Sequence, residues 1–406
     1  MKNRVCAGFL FVLLFFAICA FTTLEARADS IRFWAALPEA DNAEMTSLID
    51  RYNEKHQENQ VVFQNFPSQE ALYQALEKND LPELALIDST WIATLKPKLV
   101  PADDVLEKAG EMVHAVAKAD TFKPVWDTCM QDNKVYAIPF SAETAALVIN
   151  PVHFKKVPKI DTVAQWEKVN KQIEKGIVNV TPMMIPVSSW EKSEVGELWT
   201  TFVYAQSSPL KKNPKDTDPH LFTLHDEFAA INEWWNWVNR MHLASTDTVQ
   251  FPEGFIHGAT WILLPRQRAA LKDDPVVELL PKGKRPWGFL DVQALAFLNS
   301  DKGWDFVNYL TDYPQIKEWS MKTDTVPVNK QVYLSPDYLQ DIDAHRPWMR
   351  VYIAEIDRFP HGIAFPYERL ESVGEILLKS LHNDLKVQEG ALKVHESLFG
   401  TPTSAP

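Results

Sequence analysis

Glycine, cysteine and positive charge are all scarce in this 406-residue chain. Only 13 residues are glycine, and neither GxGxxG nor GxxxxGK[ST] occurs, so the sequence does not predict a phosphate-cradling loop of either type. Lysine and arginine total 41 against 54 aspartates and glutamates, a formal net charge of −13, which argues against a general nucleic-acid binder. The compact basic run from Lys282 to Arg285 is interpreted as a solvated turn.

Signatures of catalysis are missing as well. No HExxH, GxSxG or Cys–His pattern stands out, and His257, His361 and His382 are isolated. A glycosidase needs two carboxylates across the scissile bond, and Glu143 with Asp88 could be so placed, but binding sites use the same residues. The sequence therefore favours a protein that is not an enzyme, and it predicts no cofactor.

The N-terminus is typical of a cleaved secretory signal covering residues 1–28. An apolar run of 17 residues, Val5 to Phe21, leads to Ala26-Arg27-Ala28, so Asp29 is the expected first mature residue. The run is at the short end for a membrane span, which makes a retained anchor the less favoured alternative. Lipidation at Cys19 is not expected, because a large isoleucine precedes it. We expect a periplasmic or extracellular protein.

Removal of that signal leaves Cys129 as the sole cysteine. A single cysteine excludes an internal disulfide and a zinc site built on cysteines. Its expected role is that of a small buried hydrophobic residue.

Strands and helices alternate after the signal. The helix after the first strand is predicted to begin at Asp41, where Asp41 and Glu44 resemble a capping box, and the next one follows Ser68. Apolar patterning predicts strands at 31–35, 61–66 and 84–88. This order predicts an open, doubly wound sheet, whose ligands bind beyond the carboxyl ends of the strands. The loops 37–42 and 88–91 are therefore expected near a binding site.

The remainder of the chain is more helical. Helices are predicted at 226–240, 304–310, 368–381 and 387–398. The tryptophans of Trp234-Trp235-Asn236-Trp237 are interpreted as packing residues, and the tail 401–406 is expected to be disordered.

Five segments, in order, resemble the extracellular solute-binding proteins of carbohydrate-type ABC importers, the group that includes maltose-binding and glycerol-3-phosphate-binding proteins. They are NKVYAIPFSAETAALVINPVHFKK (133–156), AQWEKV (164–169), DEFAAINEWWNWVNRMHL (226–243), FIHGATWIL (255–263) and SDKGWDFVNYLTDYPQIKEWSMKTDTVPVNKQ (300–331). Two positions depart from the family. Asp291-Val292-Gln293 replaces glycines before the returning strand, and Asp324-Thr325 replaces a glycine–aromatic pair. These departures bear on the ligand more than on the fold.

The resemblance implies two α/β lobes, each a doubly wound, mostly parallel sheet flanked by helices, joined by a hinge. The first lobe would comprise 29–138 and 290–336, and the second 139–288 and 337–400. A small polar ligand, such as a sugar, an oligosaccharide or a glycerol-phosphate-like compound, would be captured in the cleft. The partners implied are ABC permease subunits with a cytoplasmic ATPase, and the protein is expected to be a monomer. A diverged binding or sensor protein on the same fold is the main alternative.

Candidate ligand contacts follow from the resemblance and from the strand ends. Glu143 falls at the family's polar site position, with Ser141 and Thr144 beside it. Trp34 and Glu39 lie around the end of the first strand. Carboxylates and hydroxyls suit sugar hydroxyls, and aromatic faces suit the ring.

Further candidates come from later strand and helix ends. The third strand ends at Asp88, Ser89 and Trp91. Arg266 and Gln267 follow the FIHGATWIL segment, and Arg358 and Tyr367 stand at the start of the late helix. Arginines would favour a phosphorylated ligand and carboxylates a neutral one, so the charge of the ligand stays open. No metal ligands are predicted.

Overall fold

The structure is a computed structural model. It describes residues 30–109, 118–176, 180–185, 190–207, 223–242, 244–245, 255, 257–272, 274–298, 300–359 and 365–400. The predicted signal 1–28, the tail 401–406 and His361 lie outside the described residues. None of the helices in the described ranges combines the length and apolar character that a membrane span requires.

Strands and helices alternate along most of the chain. The strands are β1 Ile31–Ala35, β2 Val61–Asn65, β3 Leu84–Asp88, β4 Leu99–Val100, β5 Met130–Gln131, β6 Lys134–Val135, β7 Ala137–Thr144, β8 Ala146–Ile149, β9 Thr181–Met184, β10 Ala244–Ser245, β11 Gly258–Leu263, β12 Val276–Glu278, β13 Leu290–Leu298 and β14 Val326–Pro327. The helices are α1 Glu39–Lys55, α2 Gln69–Leu76, α3 Ile92–Leu95, α4 Ala102–Ala109, α5 Lys123–Thr128, α6 Val163–Gly176, α7 Lys192–Gln206, α8 Leu224–Trp235, α9 Pro265–Ala269, α10 Trp304–Thr311, α11 Tyr313–Thr323, α12 Pro336–His345, α13 Met349–Arg358, α14 Tyr367–Leu381 and α15 Val387–Phe399.

The first lobe is built on a sheet with the order β14-β7-β13-β3-β1-β2, and β4 pairs with β13 at its far end. β1 runs parallel to both β2 and β3, whereas β13 runs antiparallel to β3 and β7. The buried run LALI of β3 suits a strand covered on both faces. The three strands predicted at the start of the mature chain are confirmed, and their carboxyl ends share one edge.

The second lobe is built on the sheet β10-β9-β11-β8-β12. β9 is parallel to β10 and β11, and β8 is antiparallel to β11 and β12. Its core is rich in tryptophan, and Trp234 and Trp237 are both buried in it at 2% exposure. These two tryptophans therefore pack inside the lobe.

The chain passes between the lobes at Ala145, between β7 and β8. The crossing lies six residues later than the one expected near Pro139, because β7 stays paired with β13 as far as Thr144. A β-bulge between Gln293 and Ala294 accommodates Pro139, which has no N–H to donate within a central strand. The chain returns to the first lobe before Leu290, where β13 begins.

The late helices divide between the two cores. Tyr338, Ile342 and Tyr352 of α12 and α13 lie in the first core, whereas Leu370 and Leu377 of α14 lie in the second. This packing differs from the division at residue 337 predicted from the sequence, because the apolar faces of α12 and α13 are buried in the first core.

Close packing of α14 fixes the position of α7. A Cβ at Gly196 would clash with the carbonyl oxygen of Leu370, and a Cβ at Gly374 would clash with that of Lys192. The two glycines let the helix backbones approach each other. The N-terminus of α7, which faces the first lobe, is thereby held in place.

Candidate functional site

A cavity of about 450 Å³ lies between the two lobes. The first lobe contributes the loops after β1 and β2, the end of β3, and parts of β7, β13 and α11, while the second contributes the starts of α7 and α9. The lining residues are Ala36, Leu37, Pro38, Phe66, Pro67, Ser68, Gln69, Asp88, Ser141, Ala142, Glu143, Glu191, Ser193, Glu194, Arg266, Asp291, Gln293 and Trp319. The volume falls in the usual range for small-molecule sites.

Four polar side chains form one wall of the cavity through strand pairing. Glu143 lies opposite Asp291, and Ser141 lies opposite Gln293, in the antiparallel pair of β7 and β13. Side chains directly opposite each other, and those two residues apart, share one face of a sheet. The alternation in FSAET and LDVQA therefore directs two carboxylates, a hydroxyl and an amide to the cavity.

Arg266 joins the lobes at one end of the cavity. Its guanidinium donates Nη1–H to Asp41 of α1 and Nε–H to Glu143 of β7. Asp41 is 3% exposed, and burial raises its pKa even though Arg266 opposes the shift. The predicted capping role of Asp41 is wrong, because α1 begins at Glu39 after Pro38 and Asp41 lies inside its first turn.

The other carboxyl groups lining the cavity have no cation beside them among the described residues. Asp88 accepts hydrogen bonds from Thr90 N and Oγ1 at 2.8 and 2.9 Å, and burial raises its pKa to about 6. Burial, followed by the nearby carboxylates, raises the pKa of Glu194 to about 8 and that of Asp291 well above its usual range. Burial also raises the pKa of Glu191.

Two glutamines of the cavity lining have side-chain oxygens that accept no hydrogen bond from the described residues. The Nε2 of Gln69 donates to the carbonyl of Ala36 at 3.0 Å, and the Nε2 of Gln293 donates to Asp291 at 3.3 Å. Those acceptors fix the amide orientation, since a flip would place oxygen against oxygen. The Oε1 atoms of Gln69 and Gln293 are buried without a hydrogen-bond donor among the described residues.

Two serines add buried hydroxyls to the lining. Ser141 in β7 is 3% exposed and Ser193 in the first turn of α7 is 6% exposed. Neither hydroxyl has a hydrogen-bond partner within the part of the chain that the structure describes. Buried polar groups in folded proteins are nearly always paired, so these hydroxyls are available to a bound molecule.

Four of the candidate residues predicted from the sequence meet in the cavity. Glu143, Ser141, Asp88 and Arg266 all line it. Their meeting agrees with the expectation that a ligand binds beyond the carboxyl ends of the strands.

The other first-lobe candidates lie outside the lining of this cavity. Trp34 packs on Phe66 with ring centroids 5.1 Å apart, Glu39 is exposed at the start of α1, and Trp91 is fully buried. Ser89 lines a separate cavity of about 180 Å³, next to Glu197 and Leu290. A direct ligand contact by these residues stays a prediction.

The candidates near the hinge make contacts within the protein, and a direct ligand contact by them also stays a prediction. Thr144 donates to the carbonyl of Phe289 at 2.7 Å, and Gln267 accepts from the N–H of Leu264 at 3.0 Å. Arg358 pairs with Glu355 at 3.1 Å, and Tyr367 packs edge-on against Trp91.

Several lining residues were not anticipated from the sequence. Glu191, Ser193 and Glu194 come together at the start of α7, where the Glu194 carboxylate accepts a hydrogen bond from the N–H of Glu191 at 2.8 Å, as in one half of a capping box. The segment WEKSE ahead of an apolar run carries that signal. Asp291 and Gln293 are signalled by the polar–apolar alternation of LDVQALAF. Phe66, Gln69 and Trp319 carry no comparable signal.

The geometry of the acidic side chains bears on whether the lining could hold a metal ion. No three histidine, cysteine or carboxylate side chains of the described residues lie close enough together to hold one metal ion. The arrangement suits the multiple hydrogen bonds and charge contacts that a polar organic molecule accepts.

Comparison with known proteins agrees with this geometry. Residues 47–345 match the family model described as bacterial extracellular solute-binding protein. The fold is similar to that of a cyclic alpha-maltosyl-1,6-maltose binding protein from Arthrobacter globiformis, with 13% identity, a TM-score of 0.71, and 91% of this chain and 97% of that chain covered.

Two further solved structures have the same fold. One is UgpB from Mycobacterium tuberculosis in complex with glycerophosphocholine, with 16% identity, a TM-score of 0.71, and coverage of 91% of this chain and 97% of that one. The other is the GacH receptor of Streptomyces glaucescens, solved unliganded and with acarbose, with 18% identity, a TM-score of 0.70, and coverage of 92% and 99%. At these identities the likeness shows the two-lobed fold.

Proposed function

The chain belongs to the bacterial extracellular solute-binding protein family, and we propose that its interlobe cavity captures a small polar solute and presents it to an ABC importer. The observation that carries this proposal is the shared lining of the cavity. Asp88, Glu143 and Asp291 come from one lobe, and Glu194 and Arg266 from the other. A ligand that touches both lobes stabilises the closed arrangement over the open one.

Export and partners complete the proposal. Residues 1–28 are removed as a secretory signal, and the mature chain acts as a monomer outside the cytoplasm. The closed lobes are recognised by permease subunits coupled to a cytoplasmic ATPase. The cavity releases its ligand chemically unchanged. Neighbours named for binding maltose derivatives, acarbose or glycerophosphocholine support a hydroxyl-bearing ligand.

Thermal unfolding of residues 29–406 against sugars, amino sugars, sugar alcohols, glycerophosphates and amines tests the binding function. A ligand at 100 times its Kd should add about 2.7 kcal/mol to the free energy of unfolding, a rise of a few degrees in the midpoint. Mass spectrometry of the incubated mixture should recover the ligand intact, whereas a modified product would indicate an enzyme.

A site variant and a matched control complete the test. Ser141→Val removes a buried hydroxyl of the lining and should weaken the ligand-induced shift, whereas the exposed α1 variant Ser47→Ala should preserve it. Absence of any shift across the panel, together with no retained ligand in native mass spectrometry, would count against the receptor function.

A further inference from the structure

We propose that the ligand of this cleft is a small organic cation bearing an ammonium group and, beside it, hydrogen-bonding hydroxyls or amines. The inference rests on the proposed receptor function and names its substrate class. Three independent features of the cavity support it: the balance of charge, the kind of hydrogen-bonding atoms left unpaired, and the absence of metal-chelating geometry in the described residues.

Charge is the first feature. Five carboxyl groups line the cavity, and Arg266 is the only Lys or Arg among the described lining residues. Arg266 is already committed to Glu143 and to the buried Asp41. Asp88, Glu191, Glu194 and Asp291 form no salt bridge with any described residue. Gathering like charges in a partly buried space is unfavourable, and a cation placed among them relieves that repulsion.

The four carboxyl groups differ in the hydrogen bonds that they already accept. Glu194 accepts a hydrogen bond from the backbone N–H of Glu191 at 2.8 Å, and Glu191 itself is exposed to solvent, so both carboxylates already have part of their hydrogen bonding satisfied. Asp88 accepts two hydrogen bonds from Thr90. Among the described residues, Asp291 accepts a hydrogen bond from Gln293 alone, at 3.3 Å. The ammonium group is therefore expected nearest Asp291.

Unpaired hydrogen-bonding atoms are the second feature. The Oε1 atoms of Gln69 and Gln293 are buried acceptors without donors among the described residues, in orientations fixed by their own Nε2 contacts. The hydroxyls of Ser141 and Ser193, at 3% and 6% exposure, are likewise unpartnered there. An ammonium group has three donors and no acceptor, which suits a lining dominated by acceptors.

Geometry distinguishes an organic cation from a metal ion. The acids belong to different elements, with Asp88 ending β3, Asp291 in β13 and Glu194 in α7. No three of the described metal-ligating side chains converge on one point. A cavity of about 450 Å³ instead has room for an amino sugar or a short diamine.

Matched pairs of compounds test this inference. Isothermal titration of residues 29–406 near neutral pH and low salt compares D-glucosamine with D-glucose, and putrescine with 1,4-butanediol. Within at least one pair the ammonium compound should bind at least about tenfold more tightly. Added salt should weaken that binding.

Asp291→Asn keeps the shape of the side chain and removes its charge. It should reduce affinity for the ammonium compound at least about tenfold and leave the neutral member unchanged. Asp50→Asn, an exposed change in α1 with the same effect on net charge, should alter neither affinity.

The outcomes are separable. Equal or tighter binding of the neutral members, or of other neutral sugars, overturns the cationic ligand and leaves the receptor function standing. Tight binding of Mg²⁺, Ca²⁺ or Zn²⁺ alone, with exclusion of the amines, overturns it in favour of a metal site. If no amine, neutral sugar or metal binds, the receptor proposal and this inference both fail.

Discussion

Arg266 of the second lobe, which lines the cavity between the lobes, forms a salt bridge with Asp41 of the first. Asp41 is buried in α1, so its carboxylate depends on this guanidinium. Arg266 stands on α9, and Leu263, the last residue of the preceding strand β11, accepts a 3.0 Å hydrogen bond from Tyr352. The contact therefore connects a fixed point on each lobe and favours the closed arrangement.

Arg266→Met should loosen this connection. Removing one partner of a buried pair costs about 3–5 kcal/mol, and the partial exposure of Arg266 lowers our expectation to about 2 kcal/mol. The thermal midpoint should fall, and small-angle scattering should show a larger radius of gyration without ligand. Arg350→Met, which breaks an exposed pair with Asp343, should change neither by a measurable amount. An unchanged scattering profile for Arg266→Met would contradict the proposed role.

A second connection between the lobes lies at the start of α14. Glu368 at the start of α14 accepts hydrogen bonds from Tyr73 Oη and, at 3.0 Å, from Thr94 Oγ1. Tyr73 and Thr94 belong to the first lobe, and α14 to the second. Hydrogen bonds to a charged group contribute about 1.5–3 kcal/mol when buried and less here, where the site is partly exposed.

Glu368→Ala should therefore weaken closure and ligand binding together. If the closed state becomes about tenfold less populated, the apparent Kd rises by the same factor, because affinity scales with the competent fraction. Titration of the best ligand from the panel measures this change. Glu389→Ala in α15 removes an exposed glutamate that pairs with Lys393 on the same helix and should leave the Kd unchanged. Equal effects of the two variants would refute the connection.

Helix packing behind the cavity yields a stability prediction. Gly374→Ala places a Cβ against the carbonyl oxygen of Lys192, a backbone atom that cannot move aside without shifting α7. We expect a loss of about 1–3 kcal/mol or more in the free energy of unfolding, measured by urea denaturation. Gly176→Ala is the matched control, because no atom of the described residues, its chain neighbours and own helix aside, lies within 4 Å of its added Cβ. That variant should be neutral or slightly stabilising.

The fold was predictable because its signals are local. The apolar strand ending at Asp88, the cap at Ser68 and the strand–helix alternation each depend on a few neighbouring residues, and the structure contains them. Helix boundaries late in the chain also lie within one or two residues of the predicted ones. The extent of β7 was missed because a proline normally ends a central strand, and here a bulge accommodates Pro139.

The site was predictable only in part, since its residues meet through pairings distant in sequence. Asp291 and Gln293 were interpreted as departures from a glycine-bearing pattern, yet their pairing with β7 places both in the cavity. Asp41 has the spacing of a helix cap, and only the tertiary position of Arg266 gives it another role. Asp324, which was also interpreted as a departure from the family pattern, adopts a φ of 55°, and Arg346 donates a hydrogen bond to its carboxylate at 3.2 Å.

The acidic lining predicts how the stability of the ligand-free protein depends on pH. Burial raises the pKa of Asp88 to about 6, and burial together with Glu143, Glu191 and Asp88 raises that of Glu194 to about 8. A carboxyl group whose pKa is higher in the folded state contributes stability that is complete below its unfolded pKa. That contribution is lost as pH rises through the folded pKa. The free energy of unfolding should therefore fall between about pH 4 and about pH 8.

Glu194→Gln measures how much Glu194 contributes to this fall in the free energy of unfolding with pH. The variant keeps an acceptor for the N–H of Glu191 and removes the charge, so it should gain stability relative to the wild type as pH rises from about 5 to about 8. Each unit of pKa difference corresponds to about 1.4 kcal/mol, and the exposed control Glu54→Gln should run parallel to the wild type. Urea midpoints across this range measure the difference. A gap between wild type and Glu194→Gln that stays constant with pH would mean that Glu194 is ionised at little cost in the folded protein. The repulsion among the cavity acids would then be too weak to select a cation.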